Sequence, residues 1–269
     1  MGGTNKSTVE ERKKTAWADW GYRLLPVLSI LLLILSWHLA SSNSPDSFPT
    51  IQATWERFLL LWEKPIMRVS YPGHILASLK RVCIALFFSW LIGISFGIII
   101  GWNRKMDAFF GTIFAFIRPI PPIAWIPLIT IWFGIDEFPK ILIVFIGAVM
   151  PVVINTHAGL SSVEQLYLNV GTAFNANRFQ MLFEVAIPSA LPSIFAGIRT
   201  STSTAWMVVL AAEMLGAKSG VGFLVVRGMD GLDMPLVLVA MITIGVIGAL
   251  LAAVTNFMER RLCPWMSIR

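Results

Sequence analysis

Apolar runs alternate with shorter polar intervals along the whole chain, and most of the runs are long enough to cross a lipid bilayer. A helix rises about 1.5 Å per residue, so roughly 20 apolar residues span the hydrocarbon, where backbone polar groups must be satisfied inside the segment. Six stretches meet that test: 24–40, 76–101, 108–133, 141–160, 189–212 and 235–257. The pattern predicts an all-α membrane protein with about six transmembrane helices. The first run is short and follows Arg12-Lys13-Lys14, so it reads either as an uncleaved anchor or as a signal peptide cut near Ala40-Ser41-Ser42. Trp37-His38 is unlike the region before such a cut and favours the anchor.

Two polar intervals carry patterns of their own. Within 49–64, Ile51, Trp55, Phe58, Leu59 and Trp62 fall on one helical stripe that is too short and too charged to cross. This predicts an outer interfacial helix with Trp55 and Trp62 among the headgroups, or a docking surface for an external protein. The second interval, 161–188, is wet yet amphipathic: SSVEQLYLNVGTAFNANRFQMLFEVAIP. Leu166, Val170, Ala173 and Phe174 share a helical face, while Asn175, Asn177 and Arg178 offer polar contacts. A membrane protein that places such a segment between two spans meets a soluble partner there, unless the apolar face merely rests on the bilayer.

Composition agrees with a lipid setting. Hydrophobic residues make up 56% and charged residues only 13%, too little polar surface for a soluble domain. The net charge of +6 is explained by basic residues flanking the spans, without a nucleic-acid partner. An even number of spans puts both termini on one side. If that side is cytoplasmic, the inner segments hold 11 Lys or Arg and the outer segments 8. The N-terminus, Arg104-Lys105 and the C-terminus support this orientation. Lys80 and Arg81, entering the second span from outside, oppose it. Cys83 and Cys263 lie far apart, forming neither a disulfide framework nor a metal site, and read as packing residues.

Inside the spans, three features could carry work. Arg118-Pro119-Ile120-Pro121-Pro122, followed by Pro127, must bend or break the third helix, because proline removes a donor and clashes with the preceding turn. The break is either a static kink or a gate beside a translocation path. Thr200-Ser201-Thr202-Ser203-Thr204 puts five hydroxyls in the fifth span, facing a cavity or bonding their own backbone. Arg199 precedes them, and a charge within a span marks a functional site by default. Glu213 closes the same span, able to pair with Lys218 or Arg227 or to cap a turn. The loop 216–222 is glycine-rich but lacks phosphate-binding spacing, and no GxxxxGK[ST] occurs in the chain. Nucleophile, base and ligand constellations are missing: His38, His74 and His157 fall in separate segments, and Asn155 and His157 read as caps of the fourth span. No catalytic residue, metal or cofactor is expected in this chain.

These residues resemble the permease subunit of a bacterial ABC importer of the nitrate/sulfonate/taurine class. The likeness rests on Arg118-Pro119-Ile120-Pro121-Pro122-Ile123-Ala124-Trp125-Ile126-Pro127-Leu128 through Trp132-Phe133-Gly134, on the 161–188 loop, and on Ala205-Trp206-Met207 with Ala211-Ala212-Glu213. Gly220-Val221-Gly222-Phe223-Leu224 and Glu259-Arg260-Arg261-Leu262 add to it, so that it covers roughly 78–265. Such permeases carry a Glu-Ala-Ala loop, then three residues, a glycine, nine residues and Ile-x-Leu-Pro. Counting back from Pro188 sets Val185 and Ile187 at the aliphatic positions, Asn175 at the glycine and Asn169-Val170-Gly171 over Glu-Ala-Ala. The acidic residue is lost at Asn169, whereas asparagine at 175 can keep a left-handed turn.

The resemblance implies a type I importer permease with the MetI-like fold, in the bacterial inner membrane with both termini cytoplasmic. By the same likeness, 1–75 is a tail, anchor and interfacial helix, 76–260 the permease core, and 261–269 a cytoplasmic tail. It further implies two ATP-binding cassette subunits that hold ATP and Mg²⁺, a second permease copy, and an external solute-binding protein. The 161–188 loop would seat a short coupling helix in the ATPase. Arg118, Pro119, Pro121, Pro122, Arg199, Thr200 to Thr204 and Glu213 become candidates for pathway or gate. A secondary transporter or channel working without an ATPase is the alternative.

Overall fold

The computed structural model describes residues 6–43 and 48–263, with side chains from residue 24 onward. The side chains of Arg12, Lys13 and Lys14, and the tail 264–269, on which the orientation reading leaned, lie outside that description. The described chain is helical, apart from an isolated bridge between Ile66 and Val69.

Helix α1 (Lys6–Asn43) runs through the apolar 24–40 stretch and ends with its tip tied back by Trp37 Nε1 donating to Pro49 O at 3.0 Å. Helix α2 (Ile51–Glu63) starts at Thr50, whose hydroxyl accepts from the Ala53 amide, a standard N-cap. It packs on the last long helix, Met234–Leu262, through Leu61, and Arg57 reaches Asp233 at 2.6 Å, while Trp55 and Trp62 stay exposed. Helix α3 (Tyr71–Trp102), capped by Ser70 with Pro72 in its first turn, is about 48 Å long and overshoots the hydrocarbon.

The third predicted span is broken. Helix α4 (Arg104–Ile117) stops at Arg118, a 3₁₀ turn follows at Pro122–Trp125, and α5 (Ile126–Phe133) leaves at 84° to the first half. Pro119, Pro121 and Pro122 supply no N–H to continue the ladder, and this sets where α4 ends. Among the described residues, five helices are long and apolar enough to cross a membrane, and six if the bent pair is counted as one span.

The remaining elements are α6 (Glu137–Ser161), α7 (Gln165–Ala173), α8 (Arg178–Gln180), a π turn (Met181–Ala186), α9 (Ile187–Met214), α10 (Val221–Asp230) and α11 (Met234–Leu262). α8, the π turn and α9 form one continuous rod from Arg178 to Met214, eleven residues longer at its start than the apolar run.

The core is α6 clasped between α3 and α9. Gly93, Gly97 and Gly101 on α3 sit over Val152, Thr156 and Leu160 of α6, so closely that any Cβ there would meet those side chains at 2.9, 2.6 and 2.9 Å. Small residues let helix backbones approach, which is how association proceeds in lipid without a hydrophobic driving force. Val82, Ala85, Val144, Ala148, Ala205 and Val209 fill the centre. Cys263 is buried beside Ile194 and Ile198, but Cys83 is exposed on α3, so only one cysteine is a packing residue. Asn155 and His157 do not cap α6: Asn155 donates to Pro151 O, and His157 bonds Asp107 on α4 at 2.9 Å.

Candidate functional site at the exposed hairpin and the broken helix

Helix α7 and the start of the α8–α9 rod form a hairpin that projects from one end of the bundle. α7 ends in a tight reversal: Ala176 N–H bonds Gly171 O at 3.0 Å, Asn175 N–H bonds Thr172 O at 2.9 Å, and Asn175 has φ +56°. This is a Schellman motif, which needs a left-handed residue at the position after the cap. Asn175 occupies it, as expected of a residue standing in for glycine. The rod then restarts with a capping box: Asn177 and Gln180 exchange side chain to backbone bonds of 2.8 and 2.9 Å. Sequence reading missed this start, although Asn177-x-x-Gln180 was its signal.

Gly171 lies near the end of α7, where that helix meets the π turn. It is buried, and a Cβ there would lie 2.8 Å from the Met181 Sδ and Cε, so that the tip of Met181 would have to shift. The inner side of α7 therefore rests on the π turn, and π turns in helices gather at functional sites. The outer side is uncovered: Leu166, Val170 and Phe174 are 64%, 48% and 83% exposed, Asn169, Ala173, Asn177 and Arg178 are exposed around them. Phe179 and Phe183 extend the apolar surface along the rod. A cleft of about 700 Å³ runs between the arms, edged by Tyr167, Val170, Phe174 and Glu184.

A second concavity, about 310 Å³, lies where span three breaks. Arg118, Pro122, Trp125, Asn155, Thr200 and Thr204 are among its walls. Four candidates named from sequence thus meet there. Pro119 and Pro121 sit exposed in the break itself. Of the five hydroxyls, each donates to a carbonyl three or four residues back at 2.8–3.3 Å, and Ser201 also accepts from Trp90. Ser201 and Thr202 are buried, Ser203 is exposed. Arg199 bonds Glu259 on α11 at 3.0 Å, bracing two helices.

Glu213 belongs to a third assembly, at the opposite end from the hairpin. It is 1% exposed and pairs with Arg81, 2% exposed, at 2.6 Å, rather than with Lys218 or Arg227. Ser78 and the Gly222 amide donate to the same carboxylate. Arg81 also forks onto Glu137, two bonds of 2.8 Å, and onto Ser219. His74 Nδ1 accepts from Gly220 N–H while Nε2 faces Ile66 O, which fixes a neutral ring with the proton on Nε2. Gly220, φ +124°, is pressed against the Glu213 carboxylate and leaves no space for a side chain. The loop 216–222 is thus stapled to α3 and α9 by buried charge, with the amides of Gly220, Val221 and Gly222 already taken by His74, Ser78 and Glu213. Arg81 is neutralised inside the fold, so it no longer opposes the proposed orientation.

The geometry defines a polytopic helical membrane protein with a bent helix pair and an exposed apolar hairpin. The comparisons with known proteins carry this further. Residues 93–268 match the family described as binding-protein-dependent transport system inner membrane component, and the chain belongs to that family. It is 34% identical over 265 residues to the taurine transport system permease protein TauC of Escherichia coli (strain K12), covering 97% of this chain and 96% of that one. The nitrate import permease protein NrtB of Synechocystis sp. is 30% identical, with 89% of each chain covered. The bicarbonate transport system permease protein CmpB of Synechococcus elongatus is 31% identical over 88% of each. In fold, the chain is similar to a chain of the inward-facing MetNI methionine ABC transporter, with a TM-score of 0.62, 18% identity, and 70% of this chain and 93% of that chain covered. The protein is an inner-membrane ABC importer permease of the nitrate/sulfonate/taurine class, with the MetI-like helical fold.

Proposed function

We propose that this permease imports a small anionic solute, sulfonate- or nitrate-like, delivered by an external binding protein and driven by ATP hydrolysed in separate subunits. Two permease copies and two ATP-binding cassette subunits, holding ATP and Mg²⁺, make up the transporter. The α7 hairpin is the coupling element: Leu166, Val170, Ala173 and Phe174 enter the ATPase, with Asn169, Gly171, Asn175, Asn177 and Arg178 shaping the contact. Both termini and the 261–269 tail lie on the cytoplasmic side with it, 1–75 is peripheral, and 76–260 is the transport core.

The observation that carries this reading is the uncovered apolar face of α7. A segment held so firmly by a Schellman motif and a capping box, yet exposing Phe174 fully, is built to be covered by another chain. Asn175 falls in register with the glycine of the coupling loop and adopts its backbone conformation. Closure of the ATPase dimer on ATP brings the two hairpins together. Because Gly171 seats α7 against Met181 of the π turn, displacement passes into the α8–α9 rod. α9 borders the break after Arg118, so the Pro119–Pro122 hinge and Thr200–Thr204 form the gate that alternates access. ATP shifts the balance only by binding one state better than the other.

Purification of the tagged permease with its cognate ATPase tests the reading. The complex is expected to survive detergent extraction, and Phe174→Ala with Arg178→Ala to dissociate it or abolish uptake-linked hydrolysis. An ATPase held equally by the double variant, or a permease that transports alone in liposomes as a channel or secondary transporter does, would overturn it.

A further inference from the structure

Of the concavities and charge clusters in the molecule, the cavity at the broken span holds a charge that its protein surroundings leave unanswered. Among the other polar groups on its wall named above, the two threonine hydroxyls and the Asn155 amide are committed to backbone carbonyls, while the Trp125 indole N–H has no described acceptor. Thr200 and Thr204 donate to Ala196 O and Thr200 O, and the Asn155 amide donates to Pro151 O. Arg118 lies on the same wall, where its guanidinium offers five N–H donors. No described carboxylate pairs with it and no described acceptor takes its side-chain bonds, whereas Arg199, one turn from the cavity on α9, is answered by Glu259. Fourteen residues of α4 separate Arg118 from the start of that helix, about 21 Å of rise. Arg118 is exposed at the C-cap of this half-span, and an ionisable residue in an apolar segment is a functional-site hypothesis by default.

We propose that Arg118 is the anion contact of a solute subsite carried by the permease itself, in the cavity walled by Pro122, Trp125, Asn155, Thr200 and Thr204. The inference rests on the import reading above and deepens it: the permease, and not the binding protein alone, selects for negative charge. A planar guanidinium pairs bidentately with a sulfonate, carboxylate or nitrate edge. The two threonine methyls, Pro122 and Trp125 supply an apolar wall that a compact organic anion would fill. A lipid phosphate shares this chemistry and is separated below.

Trp125 is a reporter inside the cavity. Its fluorescence is obtained as the difference between the permease–ATPase complex in maltoside detergent and the same complex with Trp125→Phe. Quenching is measured with iodide, an anion, and acrylamide, a neutral molecule. A positive cavity concentrates the anion, so the iodide constant for Trp125 should fall at least about twofold in Arg118→Gln and hold in Arg118→Lys, with the acrylamide constant unchanged. Iodide constants equal across all three proteins would overturn the proposal. Should acrylamide quenching also change in Arg118→Gln, the cavity has been reshaped, and Arg118→Lys against Arg118→Met then decides by charge at similar length. An iodide effect present in detergent and lost in phosphatidylglycerol nanodiscs assigns Arg118 to a headgroup and likewise overturns it. Copurification of the ATPase is independent of each outcome, so this subsite can fail while the import reading stands.

Discussion

The two ends of this bundle treat charge differently. At the end bearing α10, Arg81 and Glu213 are withdrawn completely from solvent and saturated by Ser78, Ser219, Gly222 and Glu137. At the hairpin end, Leu166, Val170, Phe174, Phe179 and Phe183 are turned outward with nothing upon them. Apolar side chains are exposed at the first end too, Leu232 at 82% among them, so the ends differ in their buried charge. On the import reading, the hairpin is the surface that meets a second protein. The chain then pairs a rigid charged frame at one end with an adhesive surface at the other, where force enters.

The sharpest way to break the comparison is at the end with the buried charge. Glu213→Ala leaves Arg81 buried with its closest counter-charge gone, and removing one partner of a buried pair costs about 3–5 kcal/mol. Expression and monodispersity in detergent should collapse. Arg81→Met with Glu213→Leu should regain part of the loss, because a buried pair replaced by apolar side chains is far less harmful than half a pair. Equal damage from the single and double variants would place the role of these residues elsewhere.

At the hairpin the expected effect is smaller in stability and specific to coupling. Asn175→Val must hold a β-branched residue at φ +56°, a cost of about 1–2 kcal/mol, whereas Asn175→Gly should be neutral or better. Thermal unfolding should separate the two, and solute-stimulated ATPase should fall with the valine variant alone. Gly171→Val should uncouple without unfolding, since its side chain would push Met181 and tilt α7 off the π turn; unchanged stimulation would mean that motion does not pass through Gly171.

The smallest change is expected at Arg199. Its pair with Glu259 is about half open to solvent on the arginine side, and exposed pairs contribute about 0–1 kcal/mol. Arg199→Ala should leave folding nearly unchanged, and an uptake defect larger than that of Arg118→Ala would return Arg199 to the pathway.

Much of this was readable along the chain because it is local. Apolar run length set the spans, prolines 119, 121 and 122 set the break, and the count back from Pro188 set Asn175 at its left-handed turn. What sequence could not supply is long-range. Arg81 and Glu213 are 132 residues apart, and no spacing pattern announces a partner at that distance. Arg199 and Arg118 look alike in sequence, each a lone cation in an apolar run; only the approach of α11 shows that one is paired. The five hydroxyls of α9 were equally ambiguous, since a helix lets each bond its own backbone whichever way it faces. α10 went unrecognised because Gly220-Val221-Gly222 reads as a turn, while here the glycines make room for Glu213 against the helix start.

The central claim, that force enters at the α7 tip from the cytoplasmic side, is tested most directly by one cysteine. In a background of Cys83→Ser and Cys263→Ala, Phe174→Cys is exposed to a membrane-impermeant maleimide in intact cells and in inside-out vesicles. Labelling is expected only in inside-out vesicles, and only after the ATPase subunit has been stripped. Labelling in intact cells, or labelling that the bound ATPase does not prevent, would contradict the account.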